Sequence, residues 1–145
     1  AVTYLTGIVT AGLDSGRFHW SPVFHWGFYA AGILIMISGQ AIFLAARKEN
    51  KFFSSIVRIQ TNREHTVCDT GIYKTVRHPG YLGMALSLTA VPLITGSLWS
   101  IIPVSASIGL LVVRTCLEDA SLKKELPGYA EYTEKTKHRL VPKLW

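Results

Sequence analysis

From Pro79 to Val113 the chain carries no Asp, Glu, Lys or Arg. An α-helix rises about 1.5 Å per residue and a bilayer's hydrocarbon core is about 30 Å thick, so this run is too long for one crossing. It suits a helical hairpin turning at Thr95-Gly96-Ser97, its first arm from about Tyr81 to Ile94, short or kinked at Pro92. The second arm runs through Pro103 to about Leu117. A second uncharged run, Pro22 to Ala46, has 25 residues, about 37 Å as a helix, enough to span. A soluble helical domain of 145 residues rarely carries such runs. The expectation is an all-α, polytopic integral membrane helical bundle, one domain over residues 1–145.

The flanks agree with this reading. Arg47-Lys48-Glu49-Asn50-Lys51 is a sharp polar stop after the first span, and Trp20, Trp26 and Tyr29 form an aromatic belt at its other end. Gly27, Ala31, Gly32, Ser38 and Gly39 let a neighbouring helix approach closely, and Ser105 with Gly109 offers another small pair for a partner helix. Ala1 to Leu13 is apolar but short for a span, and reads either as the end of a helix or as a partly buried first segment. No basic region precedes it, so it is not read as a signal peptide. Residues 14–22 form a loop. Cys68 and Cys116 fit neither a zinc nor a redox spacing.

Hydrophobic residues make up 49% of the chain while its net charge is +6, so apolar and basic residues are segregated. If the loop at 14–21 and the turn near Gly96 share a face, that face carries only Arg17 of the fifteen Lys and Arg. The positive-inside rule then puts the connector at 52–78 and the polar tail from Glu118 in the cytoplasm. Topology accounts for the basic balance, and no nucleic-acid partner is expected. The tail reads as helical in two pieces broken at Pro127-Gly128, with Tyr129 and Tyr132 on one face.

Chemistry concentrates at the mouth of the long apolar run, in Thr70-Gly71-Ile72-Tyr73-Lys74-Thr75-Val76-Arg77-His78-Pro79-Gly80-Tyr81-Leu82-Gly83. The topology brings this connector, the end of the second hairpin arm and the tail together. Arg114 and Glu118 are four apart and share a helix face. They form either an ordinary ion pair at a helix end or a site, and the depth of Arg114 behind an apolar run favours the site. His78 before Pro79 also serves simply to break the chain into the hairpin. The glycines also serve turns and close helix approach. His65, His78 and Cys68 match no metal-ligand spacing, so no metal is expected.

The string Thr-Gly-x-Tyr-x-x-x-Arg-His-Pro-x-Tyr-x-Gly resembles the signature of the isoprenylcysteine carboxyl methyltransferase family. The later Arg114, Glu118, Leu122, Gly128, Tyr129, Tyr132 and Arg139-Leu140-Val141-Pro142 follow in the family's order. The resemblance covers roughly residues 60–142, which carry the family-like core. Two departures stand out: the family's paired glutamates read Glu118-Asp119, and the Phe usually before the Gly is replaced by Leu126-Pro127.

The resemblance implies S-adenosylmethionine as cofactor, held by His65, Thr66, Val67, Cys68, Tyr73, His78, Pro79, Gly80, Tyr81 and Glu118, with Gln60 a weaker match. It implies that Arg114 faces the methyl acceptor. A cytoplasmic cofactor site then forms from the connector, the hairpin end and a C-terminal helix. Methyl transfer asks chiefly for alignment and exclusion of water. A carboxylate acceptor is already ionised near neutral pH and needs a cation to hold it, which Arg supplies with a two-pronged fork. Arg114 would instead repel an amine. The expected activity is carboxyl methylation of a lipid-like acceptor met in the bilayer, by family analogy a C-terminal S-isoprenylcysteine. The competing readings are a phospholipid or other amphiphile N-methyltransferase, an NADPH-dependent membrane sterol-type reductase, and a non-catalytic lipid-binding subunit.

Overall fold

The computed structural model describes residues 2–53 and 66–145, and its regular structure there is entirely helical. Five α-helices follow in order: α1 Val2–Ala11, α2 Trp26–Glu49, α3 Pro79–Thr95, α4 Ile101–Glu125 and α5 Tyr129–Lys135. A π-helical stretch, Gly12–Phe18, continues α1, and a 3₁₀ turn, Gly71–Lys74, precedes α3. The described chain divides into two compact units, one of residues 1–41 and 83–111, the other of 42–82 and 112–145.

Two helices, α2 and α4, are long and apolar enough to cross a membrane. Their apolar side chains are mostly not in a core. Trp26, Leu34, Ile37 and Leu44 on α2 are exposed, as are Ile102, Leu110, Val113 and Leu117 on α4. A soluble core helix would bury such residues. α3 has 17 residues, about 25 Å of rise, short of a full hydrocarbon core.

In the first unit, Gly32 and Gly39 of α2 meet α3 as their size permits, whereas Ala31 and Ser38 are exposed and Gly27 faces only His25 among the described residues. A side-chain carbon on Gly39 would stand 2.7–2.8 Å from Ser87 Oγ, the Gly83 carbonyl and the Ser87 amide nitrogen. One on Gly32 would stand 2.8–3.0 Å from Leu93 and Ile94. α3 starts cleanly because Pro79 takes the first helical position, where no amide donor is needed. Pro92 lies inside α3, yet the helix continues to Thr95. Gly96 then takes φ 65° and the Ser97 amide donates back to the Pro92 carbonyl at 3.1 Å, a glycine-dependent C-terminal cap.

Asp14 ties the first loop to that turn. Its buried carboxylate accepts from the Ser21 amide (2.8 Å), Ser21 Oγ (2.6 Å) and Ser97 Oγ (2.5 Å), and Ser21 Oγ accepts from the Leu98 amide (2.8 Å). The loop and the hairpin turn therefore share one end of this unit. Burial pushes the Asp14 carboxyl up, but these hydrogen bonds outweigh it and hold it below the usual range. Phe18 stacks on Trp20 at 4.9 Å, and Trp20 meets Trp99 edge-on, forming an aromatic cluster at the same end.

Three sequence expectations change. Residues 14–18 are helical rather than loop, closed at His19 with φ 52°. The second hairpin arm continues past Leu117 to Glu125, so the first piece of the expected polar tail belongs to α4, which stops at Pro127 rather than where polarity begins. Ser105 and Gly109 are exposed, with nothing within 4 Å of a carbon added at Gly109, so among the described residues no helix covers that pair.

Candidate functional site

The second unit gathers the polar passage, the end of α4 and α5. Its entrance is fixed at the end of α2, where Thr70 Oγ1 donates to Glu49 Oε1 at 2.5 Å and Cys68 Sγ lies 3.8 Å from the Glu49 carbonyl. Gly71 has φ 52°, and a side chain there would collide with the Glu49 carboxyl, so both backbone and space call for glycine. The following 3₁₀ turn points Tyr73 inward. Its hydroxyl donates to the Ala46 carbonyl at 3.3 Å, and burial pushes its phenol up to about 12. The Tyr73 carbonyl in turn accepts from the Tyr132 hydroxyl at 2.6 Å.

Behind this entrance lies a buried charge network centred on Asp119, whose side chain is 1% exposed. Arg77 grips it with two prongs, Nε to Oδ1 at 2.8 Å and an NH2 donor to Oδ2 at 3.0 Å. Arg139 Nε donates to Oδ2 at 3.1 Å, the Tyr129 hydroxyl donates to Oδ1 at 3.0 Å, and His78 Nε2 stands 3.3 Å from Oδ1. Arg77 also donates to the carbonyls of Thr136 and Lys137, both at 2.8 Å. The Arg77 and His78 amides bond to the carbonyls of His138 and Arg139, each at 2.9 Å. A buried carboxylate with this many donors is a satisfied ion, and it fastens the Arg-His-Pro segment to the C-terminal segment.

One residue along, Glu118 faces a different set of partners. The Tyr81 hydroxyl donates to Glu118 Oε2 at 2.5 Å and accepts from Arg114 Nε at 2.9 Å. The Arg114 guanidinium also lies over the Tyr81 ring, 5.6 Å from its centre. Tyr81 therefore stands between the two side chains that the sequence paired directly. Its ring stacks on His78 at 5.8 Å and 15° between planes, which links this trio to the Asp119 network.

The sequence-derived site residues fall as follows. Tyr73, His78, Pro79, Gly80 and Tyr81 are buried, and Arg114 and Glu118 are half-buried. A side chain at Gly80 would collide with the Phe53 ring. Thr66 and Val67 line an open cavity of about 280 Å³ with Asp69, Gly128, Glu131 and Tyr132, and Cys68 is half-buried beside them. Val67 also packs on the cluster of Leu126, Tyr129 and Tyr132. Gln60 and His65 lie outside the described residues. Sequence reasoning missed the framework formed by Arg77, Asp119, Tyr129 and Arg139. A signal was present, because Leu111, Thr115 and Asp119 fall on one buried stripe of α4. A carboxylate on such a stripe requires partners.

Comparison with known proteins bears on the family. The sequence model of the isoprenylcysteine carboxyl methyltransferase (ICMT) family matches residues 30–124. Two curated relatives, each a probable protein-S-isoprenylcysteine O-methyltransferase, come from Oryza sativa subsp. indica and subsp. japonica. Each is 30% identical over 63 residues, which is 43% of this chain and 33% of the relative. The chain thus spans about a third of the length of the curated relatives it matches. Since the family match takes in well over half of the sequence, the chain belongs to the isoprenylcysteine carboxyl methyltransferase family.

Proposed function

We propose that this protein is a multi-pass membrane methyltransferase, its active face cytoplasmic, that methylates the carboxylate of a lipid-like acceptor such as a C-terminal S-isoprenylcysteine. The observation carrying this reading is the Arg114–Tyr81–Glu118 arrangement, a cation and an anion on one face of α4 bridged by one hydroxyl. The outward apolar faces of α2 and α4 support a bilayer around it. The donor set suits S-adenosylmethionine. That molecule carries positive charge, and the cavity beside Thr66 and Val67 has two carboxylates, Asp69 and Glu131, against one cation, Lys135. When bound, it supplies a methyl group on a cationic sulfur, open to in-line displacement.

The chain's own residues then have distinct roles. Glu118 offers a carboxylate to ammonium or hydroxyl groups, and Tyr81, whose ring already carries the Arg114 guanidinium and stacks on His78, holds that carboxylate by its hydroxyl. Thr66, Val67, Cys68 and Tyr73 form the rest of the cofactor wall in this reading, and the family resemblance adds His65 and Gln60 as ligands. His78, Pro79 and Gly80 set the position of Tyr81. Arg114 orients the acceptor carboxylate, which needs no base to remove a proton. Its long stem lets the guanidinium stand at the edge of the apolar layer, where a prenyl chain would lie.

The test separates donor from acceptor. Arg114→Ala is expected to lower transfer by about a hundredfold or more while cofactor affinity changes little, since one charge-assisted contact to the acceptor is lost. Glu118→Ala is expected to weaken the cofactor itself. Calorimetric titration of detergent-solubilised protein with S-adenosylmethionine, with NADPH alongside, is the primary measurement. Saturation by NADPH alone sinks the methyltransferase reading in favour of a reductase. Equal loss of both activities in both variants, with lowered stability, reduces Arg114 and Glu118 to a structural pair.

A further inference from the structure

The second unit contains another cavity, of about 430 Å³, that none of the residues assigned above to donor or acceptor lines. Five cations border it: Arg77, Lys123, Lys137, Arg139 and Lys143. No lining side chain is acidic. Asp119 reaches Arg77 and Arg139, but one carboxylate balances only part of this charge. Lys123, Lys137 and Lys143 are exposed. Like charges gathered in a concave space repel one another and focus a positive potential there, a cost that a bound anion relieves.

The C-terminal segment holds this arrangement in place. A main-chain oxygen of Trp145 accepts from the amides of Arg139, Leu140 and Val141 at 2.9, 3.1 and 3.2 Å, folding the chain back on itself. The Arg139 guanidinium lies 5.2 Å from the centre of the Trp145 ring. Lys143 has φ 65°, a left-handed conformation unfavourable for a residue with a side chain, and its amide donates to His138 Nε2 at 3.3 Å. The backbone is thus held in an uncommon conformation that keeps a lysine at the rim of the cavity.

We propose that this cleft binds a phosphate-bearing anion. Phosphate presents several strong acceptor oxygens and up to two charges in a small volume, which matches a mixture of guanidinium and ammonium donors converging on one concavity. The phosphate belongs either to a soluble molecule or to the headgroup of an anionic lipid. The cleft does not depend on the methyltransferase reading, and its test does not use transfer activity.

The experiment uses the full chain in detergent and in nanodiscs. Inorganic pyrophosphate is titrated calorimetrically into the detergent-solubilised protein at 0.15 M ionic strength. Separately, thermal melting is compared in nanodiscs of phosphatidylcholine alone and of phosphatidylcholine with phosphatidic acid. The variant is Lys137→Ala/Lys143→Ala, and the charge-matched control is Lys48→Ala/Lys51→Ala, with folding of each checked by circular dichroism. Saturable pyrophosphate binding that weakens about tenfold or more in the cleft variant but not the control assigns a soluble phosphate. A melting shift seen only with phosphatidic acid, and lost only in the cleft variant, assigns a lipid headgroup. Equal responses from cleft variant and control, or no response to either probe, overturn the proposal.

Discussion

The sharpest test of the framework is Asp119→Asn. The substitution keeps size and shape but removes the negative charge and turns one acceptor into a donor. Arg77 is 5% exposed, and two of its donors, at 2.8 and 3.0 Å, would then face a neutral amide. Removing one member of a buried pair typically costs about 3–5 kcal/mol, because the surviving charge stays buried without compensation. Asn retains one acceptor, and Arg77 keeps the Thr136 and Lys137 carbonyls, so the expected loss lies near the lower end, about 3 kcal/mol. That corresponds to a fall of about 150-fold in the folded-to-unfolded ratio. The assay is equilibrium unfolding in a fixed detergent, followed by circular dichroism, with parent and variant at the same detergent concentration. Arg77→Met/Asp119→Leu is the companion variant. Replacing both ions by apolar groups should recover part of the loss, although Arg139, His78 and Tyr129 then lose a partner. An Asp119→Asn protein within about 0.5 kcal/mol of the parent would refute the reasoning, since a change that small is what an uninvolved surface position gives.

Other perturbations probe separate parts of the molecule. Tyr81→Phe removes the hydroxyl between Arg114 and Glu118; fold stability should fall by only about 1–2 kcal/mol, because both partners are half-buried and reach water, while transfer falls well beyond that fraction. Steady-state kinetics beside unfolding curves check this, and an unchanged rate would remove Tyr81 from the site. Gly39→Ala should cost about 1–3 kcal/mol because the new carbon meets α3 backbone, whereas Gly109→Ala, in open space, should be neutral or stabilising by up to about 1 kcal/mol. Parallel melting curves decide between them, and equal effects would refute the close α2–α3 approach. For Tyr73 the folded value of about 12 lies above the ordinary 10.0, so its contribution is whole below pH 10 and lost as pH rises through 12. An absorbance titration should show one phenol ionising near pH 12 that vanishes in Tyr73→Phe.

How far the sequence could be read depended on the range of the forces involved. α2 and the hairpin were legible because an uncharged run has few alternatives near a bilayer, and the Gly96 turn because glycine serves the left-handed cap there. The end of α4 was not legible from polarity. Charges after Val113 mark the end of the uncharged run, but a helix continues through polar residues until backbone geometry stops it, here just before Pro127. Asp14 reads locally as a loop residue, and its helical state depends on Ser21 and on Ser97, 83 residues away. Arg77 was visible inside the Arg-His-Pro string, yet its partner Asp119 lies 42 positions later, and no spacing rule links them. The Tyr81 bridge between Arg114 and Glu118 was hidden for the same reason, since i, i+4 spacing says nothing of a hydroxyl arriving from another helix.

The adjacent acids of α4 show how one helix serves two demands. Consecutive helical residues point about 100° apart, so Glu118 and Asp119 cannot share an environment. Asp119 falls on the buried stripe and is bound by donors from three other segments, around Arg77, Tyr129 and Arg139. Glu118 falls off that stripe, half-buried, with Tyr81 as its partner. A cofactor ligand, the role proposed for Glu118, must be open to exchange, whereas a structural ion must be enclosed, and a single residue step separates the two conditions. His78 joins them, with one ring nitrogen near Asp119 and its face on Tyr81. Freeing Asp119 should therefore disturb the Tyr81 ring before Arg114 itself, and a Glu118 variant should leave the Asp119 framework standing. Loss of cofactor affinity without loss of fold in Glu118→Ala, and loss of both in Asp119→Asn, is the pattern this division requires.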